Sequence, residues 1–151
     1  MHLLKKDSII LEMKATGKEG ALRELAGLAA VQCGRFTEVI LYNVLLEREA
    51  VGSTGVGNGV AIPHGKIEGL NDILLCFGRS RAGINFDAID NRPVHLLALL
   101  LSPADKASEY LQALAHISKI LKKSGNRQRL LLAGTTREEI AALFNAPPAV
   151  A

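Results

Sequence analysis

The sequence predicts an α/β layer fold, with helices on both sides of a buried sheet, and three observations lead to it. Short apolar runs alternate along the chain with segments of helical period. The run Val94–Leu101, VHLLALLL, is apolar at nearly every position instead of every second one, which suits a central strand covered on both faces. The chain of 151 residues is 48% hydrophobic, with four Phe, two Tyr and no Trp, enough for one domain whose core is mainly aliphatic. No internal repeat is evident.

From the N-terminus, Ile9–Met13 reads as a short first strand. A helix follows over Lys18–Cys33: Thr16 and Glu19 have capping-box spacing, Leu22, Leu25, Leu28 or Ala29 and Gln32 trace one face, and Gly34 ends it. Thr37 is placed to N-cap a second helix running to about Glu49, with Val39, Ile40, Val44 and Leu45 facing inward. Val60-Ala61-Ile62 is a short buried strand closed by Pro63, which drives Ile62 towards extended geometry and fixes its own φ. Ile73–Arg79 is a further strand, bounded by Asn71-Asp72 and by a turn over Ser80–Gly83. The segment Ile84–Pro93 is irregular, with Asp90-Asn91 as its turn signal, and leads into the central strand. Ser102-Pro103-Ala104-Asp105 carries helix-start signals for a helix running to about Lys123. In that helix Leu111, Leu114, Ala115, Ile117 or Ser118 and Leu121 face inward, Lys119, Lys122 and Lys123 complement the C-terminal dipole, and Gly125 is the stop. Asn126 can cap a short helix through Leu132, and Thr136 with Glu139 a last one over Glu138–Phe144. A single domain over 1–146 and a disordered tail over 147–151 are expected.

The stretch Gly52–Lys66, GSTGVGNGVAIPHGK, holds the densest chemical signal. Five glycines, at 52, 55, 57, 59 and 65, frame one histidine, His64. Glycines so closely spaced permit positive φ and close backbone approach, and so expose N–H groups to a ligand; a long turn needs no more than that either. His64 is expected at a stiff strand end, with Gly65 leaving open space beside its ring. Histidine is the side chain whose charge changes near neutral pH, and its neutral form is a nucleophile. Arg48, in the last turn of the preceding helix, suits the negative end of the dipole; its planar donor fork equally suits a phosphoryl group.

These residues, together with FDAIDNRPV at Phe86–Val94 and LLLSPAD at Leu99–Asp105, resemble the IIA proteins of the bacterial phosphotransferase system. Within it the chain is most similar to the nitrogen-related branch of the mannitol/fructose superfamily, over residues 8 to 144. The resemblance implies a mixed sheet of about five strands between helices. It also implies that His64 accepts a phosphoryl group on Nε2 from a phosphocarrier protein, with Arg48 stabilising the transferred group. Supporting contacts are expected from Ser53, Thr54, Asn58 and loop N–H groups, since phosphoryl transfer needs mainly positioning and charge stabilisation. Lys66 either assists or is an ordinary surface lysine.

The chain departs from the family at one position. Members typically carry a second histidine on the helix after the LLxPxD segment, and here Tyr110 stands in that place, either as a packed helix residue or as a hydrogen-bond donor to the site. His116, six residues on, is turned about 120° away round the helix. The resemblance therefore implies a regulator whose phosphorylation changes the binding of target proteins such as sensor kinases or transporters in nitrogen, potassium or carbon metabolism. The alternative is a sugar-transport component that passes phosphate to a IIB partner.

Other chemistries find little support. The net charge of +3 and pI near 9.0 come from dispersed Lys and Arg, too weak a basic signal for nucleic acid to be the partner. Cys33 and Cys76 are far apart, without C-x-x-C, and read as small core residues. The glycine loop lacks both the Walker ending and G-x-G-x-x-G, no G-x-S-x-G occurs, and His64, His95 and His116 lack metal-ligand spacing, so no metal or organic cofactor is implied. With no signal peptide and no apolar run of about 20 residues, the expectation is a soluble cytoplasmic protein with no insertion into the membrane.

Overall fold

The computed structural model describes residues 2–147; most of the expected tail lies outside them. After a 3-10 turn at Lys6–Ser8 the elements run β1 (Ile9–Ile10), α1 (Lys18–Cys33), α2 (Glu38–Ala50), β2 (Gly55–Gly57), β3 (Val60–Ala61), β4 (His64–Ile67), β5 (Leu74–Ile84) and β6 (Val94–Pro103). Three helices close the chain: α3 (Ala107–Lys122), α4 (Ser124–Leu131) and α5 (Arg137–Asn145).

The sheet is mixed, six-stranded, in the order β1-β5-β6-β3-β2, with β4 also on β6. β5 and β6 are antiparallel, while β1 lies parallel to β5 and both β3 and β4 parallel to β6. β3 and β4 occupy successive lengths of one edge of β6, Val60 opposite Leu96 and His64 opposite Leu100. Pro63 falls at the break between them: it has no N–H for a ladder, but its carbonyl still accepts from Leu100 N–H at 2.9 Å.

β6 is buried on both faces, as its sequence predicts. Leu97, Leu99 and Leu101 join the core under α1 and α2, whereas Leu96, Ala98 and Leu100 join the core under α3, α4 and α5. Phe77 of β5 stacks against Phe144 of α5 at 5.3 Å in the second core. Gly34 ends α1 with φ 63°, Thr37 caps α2, and Thr136 with Glu139 forms the capping box of α5.

Several expectations give way to tertiary context. The first strand is only Ile9–Ile10, because pairing with β5 stops there. Thr16 does not cap α1: Gly17 is the N-cap without a side-chain bond, and the Thr16 carbonyl accepts from Asn85 N–H instead. β5 runs through the expected Ser80–Gly83 turn, absorbing it as a register shift between Arg79 and Ile84. Ser102 and Pro103 finish β6, so α3 starts later, after Lys106. Gly125 lies inside α4, and Asn126 donates from Nδ2 to the Ile120 carbonyl without capping that helix. Cys76 is fully buried, which pushes its thiol up to about 12, but Cys33 is only half-buried.

Two helices are turned by one residue relative to their expected faces. In α2 the buried positions are Leu41, Leu45 and Glu49, leaving Val39 63% and Ile40 47% exposed. In α3 they are Tyr110, Ala113, Ile117 and Leu121, with Leu111 63% exposed and Ala115 outside. One helical step is about 100°, and the inward places that apolar patterning missed are Leu41 and Glu49 in α2 and Tyr110 and Ala113 in α3. Among the described residues no helix is long and apolar enough to cross a membrane.

Candidate functional site

His64 opens β4 and is half-buried. Its Nδ1 lies 2.7 Å from the carbonyl oxygen of Ile62, two residues back across Pro63. A carbonyl only accepts, so Nδ1 carries the proton and the neutral ring presents its lone pair at Nε2. The Ile62 peptide is itself pinned, its N–H donating to the Thr54 carbonyl at 2.9 Å. The nucleophilic nitrogen is thus oriented by backbone alone.

Gly65 does not leave open space beside the ring. A Cβ there would lie 2.9 Å from Val44 Cγ1, so the glycine lets α2 approach β4. That approach brings the end of α2 beside the site. Arg48 donates from Nη1 to the Gly52 carbonyl at 2.9 Å; this is its sole protein hydrogen bond among the described residues, leaving the other guanidinium donors uncommitted. Glu49 follows on the buried side. Its Oε1 accepts from Thr54 N–H at 2.8 Å and from the Thr54 hydroxyl, while Oε2 lies 2.9 Å from Lys18 Nζ, an ion pair outside aligned hydrogen-bond geometry. Burial pushes the Glu49 carboxyl up, yet the bonds from Thr54 and Lys18 together outweigh it and hold the group below its ordinary value. One carboxylate therefore ties α1, α2 and the glycine segment together.

Tyr110, from the first turns of α3, faces the same place. Its ring centroid is 6.2 Å from that of His64, tilted by 48°, and Lys66 Nζ stands 5.5 Å over the tyrosine ring. Burial raises the Tyr110 hydroxyl, against the opposing pull of the Arg48 charge, so it remains a protonated donor at neutral pH.

The sequence-nominated residues therefore divide. His64, Tyr110 and Lys66 gather at one place, and the charge of Arg48 is felt at Tyr110. The Thr54 hydroxyl is occupied by Glu49, and the Ser53 Oγ accepts from Gly55 N–H at 3.0 Å, so both hold the shape of the segment. Asn58 does not join them: it sits at the β2–β3 turn with φ 58°, its N–H bonded to Asp90 Oδ2 at 3.1 Å. Val60 and His64 alone are four register positions apart on β6, about 13 Å at strand rise, and Asn58 lies beyond Val60. His95 and His116 also lie elsewhere, bonded to the carbonyls of Ser80 and Phe144. Sequence reasoning missed Glu49 and Lys18. The signal for Glu49 was an acid at the i+4 position from Leu45, in line with Leu41. Among the described residues no three His, Cys, Asp or Glu side chains converge to hold a metal ion.

Residues 2–146 match the family described as "Phosphoenolpyruvate-dependent sugar phosphotransferase system, EIIA 2". The chain belongs to this EIIA 2 family. Among curated relatives, the nitrogen regulatory protein of Bradyrhizobium diazoefficiens is 38% identical over 149 residues, covering 99% of this chain and 96% of its own. A fructose-specific EIIA component of Haloferax volcanii is 40% identical over 124 residues, 82% of this chain and 80% of its own. Among solved structures, the nitrogen regulatory protein IIA-Ntr of Neisseria meningitidis superposes with a TM-score of 0.89 at 31% identity, covering 95% of this chain and 97% of that one. As an EIIA 2 member the chain has the six-stranded mixed sheet and flanking helices that the IIA resemblance implies, one strand more than expected.

Proposed function

We propose that His64 is a phosphoryl acceptor and that the chain acts chiefly as a phosphorylation-dependent regulator. The observation that carries the first part is the Nδ1–H bond to the Ile62 carbonyl at 2.7 Å, which leaves Nε2 as the free nucleophile. Neutral His64 attacks the phosphorus of a phosphohistidine on a phosphocarrier protein. The Nε2–P bond forms as the donor N–P bond breaks, and the leaving electron pair returns to the donor imidazole. The guanidinium of Arg48 meets the equatorial oxygens, where charge gathers in a loose transition state. Tyr110, beside the ring, supplies a neutral donor, and Lys66 adds a positive charge. Ser53 and Thr54 act through the segment they brace.

The likeness to nitrogen regulatory proteins over nearly the full chain supports a regulatory outcome, in which a phosphoryl group on His64 changes the charge of a docking surface for target proteins. The likeness to a fructose-specific component supports the second reading, onward transfer to a IIB partner. The test is incubation with phosphoenolpyruvate, enzyme I and the phosphocarrier protein. Acid-labile phosphate should appear on the wild-type chain and be absent from His64→Ala; retained incorporation in that variant sinks the assignment. Subsequent loss of label to a IIB protein at a rate matching sugar uptake would favour the transport reading.

A further inference from the structure

The basic residues are spread along the chain, but one stretch holds them without any acid. Between Tyr110 and Arg137 the sequence has Lys119, Lys122, Lys123, Arg127, Arg129 and Arg137 and no Asp or Glu. These are six of the 18 Lys and Arg, so the rest of the chain holds 12 against 15 acids; the net charge of +3 is made of +6 here and −3 elsewhere. The segment forms the C-terminal half of α3, then α4 and the turn before α5.

Lys119 and Lys122 sit in the last turn of α3, where the dipole favours them, but their ammonium groups bond none of the terminal carbonyls. The carbonyls that end α3 are already met, Ile120 by Asn126 Nδ2 at 2.9 Å, Leu121 and Lys122 by Arg127 Nη1 at 2.9 and 2.7 Å. The ion pairs among the described residues, Lys18 with Glu49 and Lys106 with Asp72, involve none of the six cations. Lys119, Lys122 and Lys123 are all exposed. Arg129 is the most offset, sharing a small cavity with Glu139.

Hollows lie on both sides of this part of α3. Between it and the β2–β3 hairpin is a cavity of about 310 Å³ walled by Val56, Val60, Ile62 and Leu121, with Lys122 among its lining. On the other side His116, Lys119, Lys123 and Asn126 line a second, of about 210 Å³. Apolar walls beside unpaired ammonium groups match a partner that is acidic and carries an apolar anchor.

We propose that the C-terminal half of α3 is a docking face for an acidic segment of a partner protein. Its carboxylates pair with Lys119, Lys122 and Lys123, and one aliphatic side chain enters the Val56–Leu121 cavity. Residues 111–137 contain no Phe, Tyr or Trp to stack on bases, which disfavours single-stranded nucleic acid. The apolar side of α3, Ala113, Ile117 and Leu121, is already taken by the sheet, so the helix has no face to insert into a bilayer. Lys119 and Lys122 lie nine and twelve residues beyond Tyr110, about 14 and 18 Å of helix rise, while Ile62 belongs to both places, lining the cavity and accepting from His64 Nδ1. The charge pairing uses none of the proposed chemistry of His64, so the inference stands apart from it.

The test is an NMR titration of the whole protein with a synthetic glutamate-rich peptide bearing one leucine. Amide and methyl shifts should cluster at Lys119, Lys122, Lys123, Val56 and Val60, and binding should weaken as salt rises from about 0.05 to 0.3 M, where exposed charges are screened. The triple change Lys119→Glu, Lys122→Glu, Lys123→Glu should weaken binding at least about tenfold, as like charges repel. Neutral Gln replacements at the same positions, which keep α3 helical, should weaken it less. His64 labelling should be unchanged in both variants. Equal binding of a glutamine version of the peptide, binding that survives charge reversal, or shifts centred on His64 would overturn the proposal. So would tighter binding to duplex DNA or to phosphatidylserine vesicles than to the peptide.

Discussion

At the scale of single residues, the candidate site rests on one backbone carbonyl. Ile62 fixes the tautomer of His64 without any acidic side chain, so the imidazole keeps a neutral partner and gains no charge stabilisation from it. In the proposed chemistry positive charge comes separately, from Arg48 and Lys66. Arg48→Ala should therefore slow phosphoryl incorporation about 10- to 100-fold, the equivalent of one or two charge-assisted hydrogen bonds, with an unchanged thermal transition. A loss of folded protein in that variant would instead mean that its bond to the Gly52 carbonyl holds the segment together. Tyr110 lies beside the ring and is a neutral donor at neutral pH. Tyr110→His introduces a group able to carry charge at the same place, and single-turnover transfer should be faster; an unchanged rate would show that the side chain at position 110 does not touch the transferred group. The sequence singled out His64 by the glycines and proline framing it, and its proposed role and that of Arg48 came through the family resemblance. Glu49 was not legible, because an acid among apolar residues reads as solvent-facing until its partners, Thr54 and Lys18, are seen to converge on it.

At the scale of elements, α2 approaches β4 closely at Val44 and Gly65, one turn before Arg48. Val44 sits where the Cβ of any residue but glycine at position 65 would be. Gly65→Ala should push α2 off the sheet edge and cost about 1–3 kcal/mol in chemical denaturation, as overpacking does. Val44→Ala in the same chain should restore part of that loss and recover phosphoryl incorporation with it. Failure of the second change to recover either property would place the strain elsewhere. Helix ends followed local chemistry where the cap is intrinsic, as with Gly34, Thr37 and the Thr136–Glu139 box. They departed from it at Thr16 and Gly125, where the backbone found other partners: the Thr16 carbonyl pairs with Asn85, and the short α4 begins directly after Lys123. The one-residue rotation of α2 and α3 has a related origin. Hydrophobic patterning assigns the inner face to the most apolar residues, but Glu49 turns inward to meet Thr54 and Lys18, and Tyr110 turns inward beside His64.

At the scale of the whole molecule, the buried carboxylate of Glu49 links α1, α2 and the glycine segment, and so couples the integrity of the site to pH. Its folded pKa lies below the 4.5 of the free side chain. The stabilisation it gives is fully present above that value and is lost as pH falls through the lower folded one. Glu49→Gln should thus cost about 1–3 kcal/mol near neutral pH and flatten the fall of stability below about pH 4.5. Urea denaturation across that range checks it, and parallel wild-type and variant curves would refute the assignment. The sequence by itself determined the α/β class, the doubly buried central strand, the intrinsic helix caps and the IPHG segment with its arginine, because each depends on residue type and short-range spacing. Only the tertiary structure decided which faces α2 and α3 bury, that Gly65 admits Val44, that Asn58 stands away from His64 while Tyr110 stands beside it, and that one carboxylate joins three elements. These depend on the register along β6 and on the packing of helices across it, and contacts between residues distant in the chain are set by the assembled core.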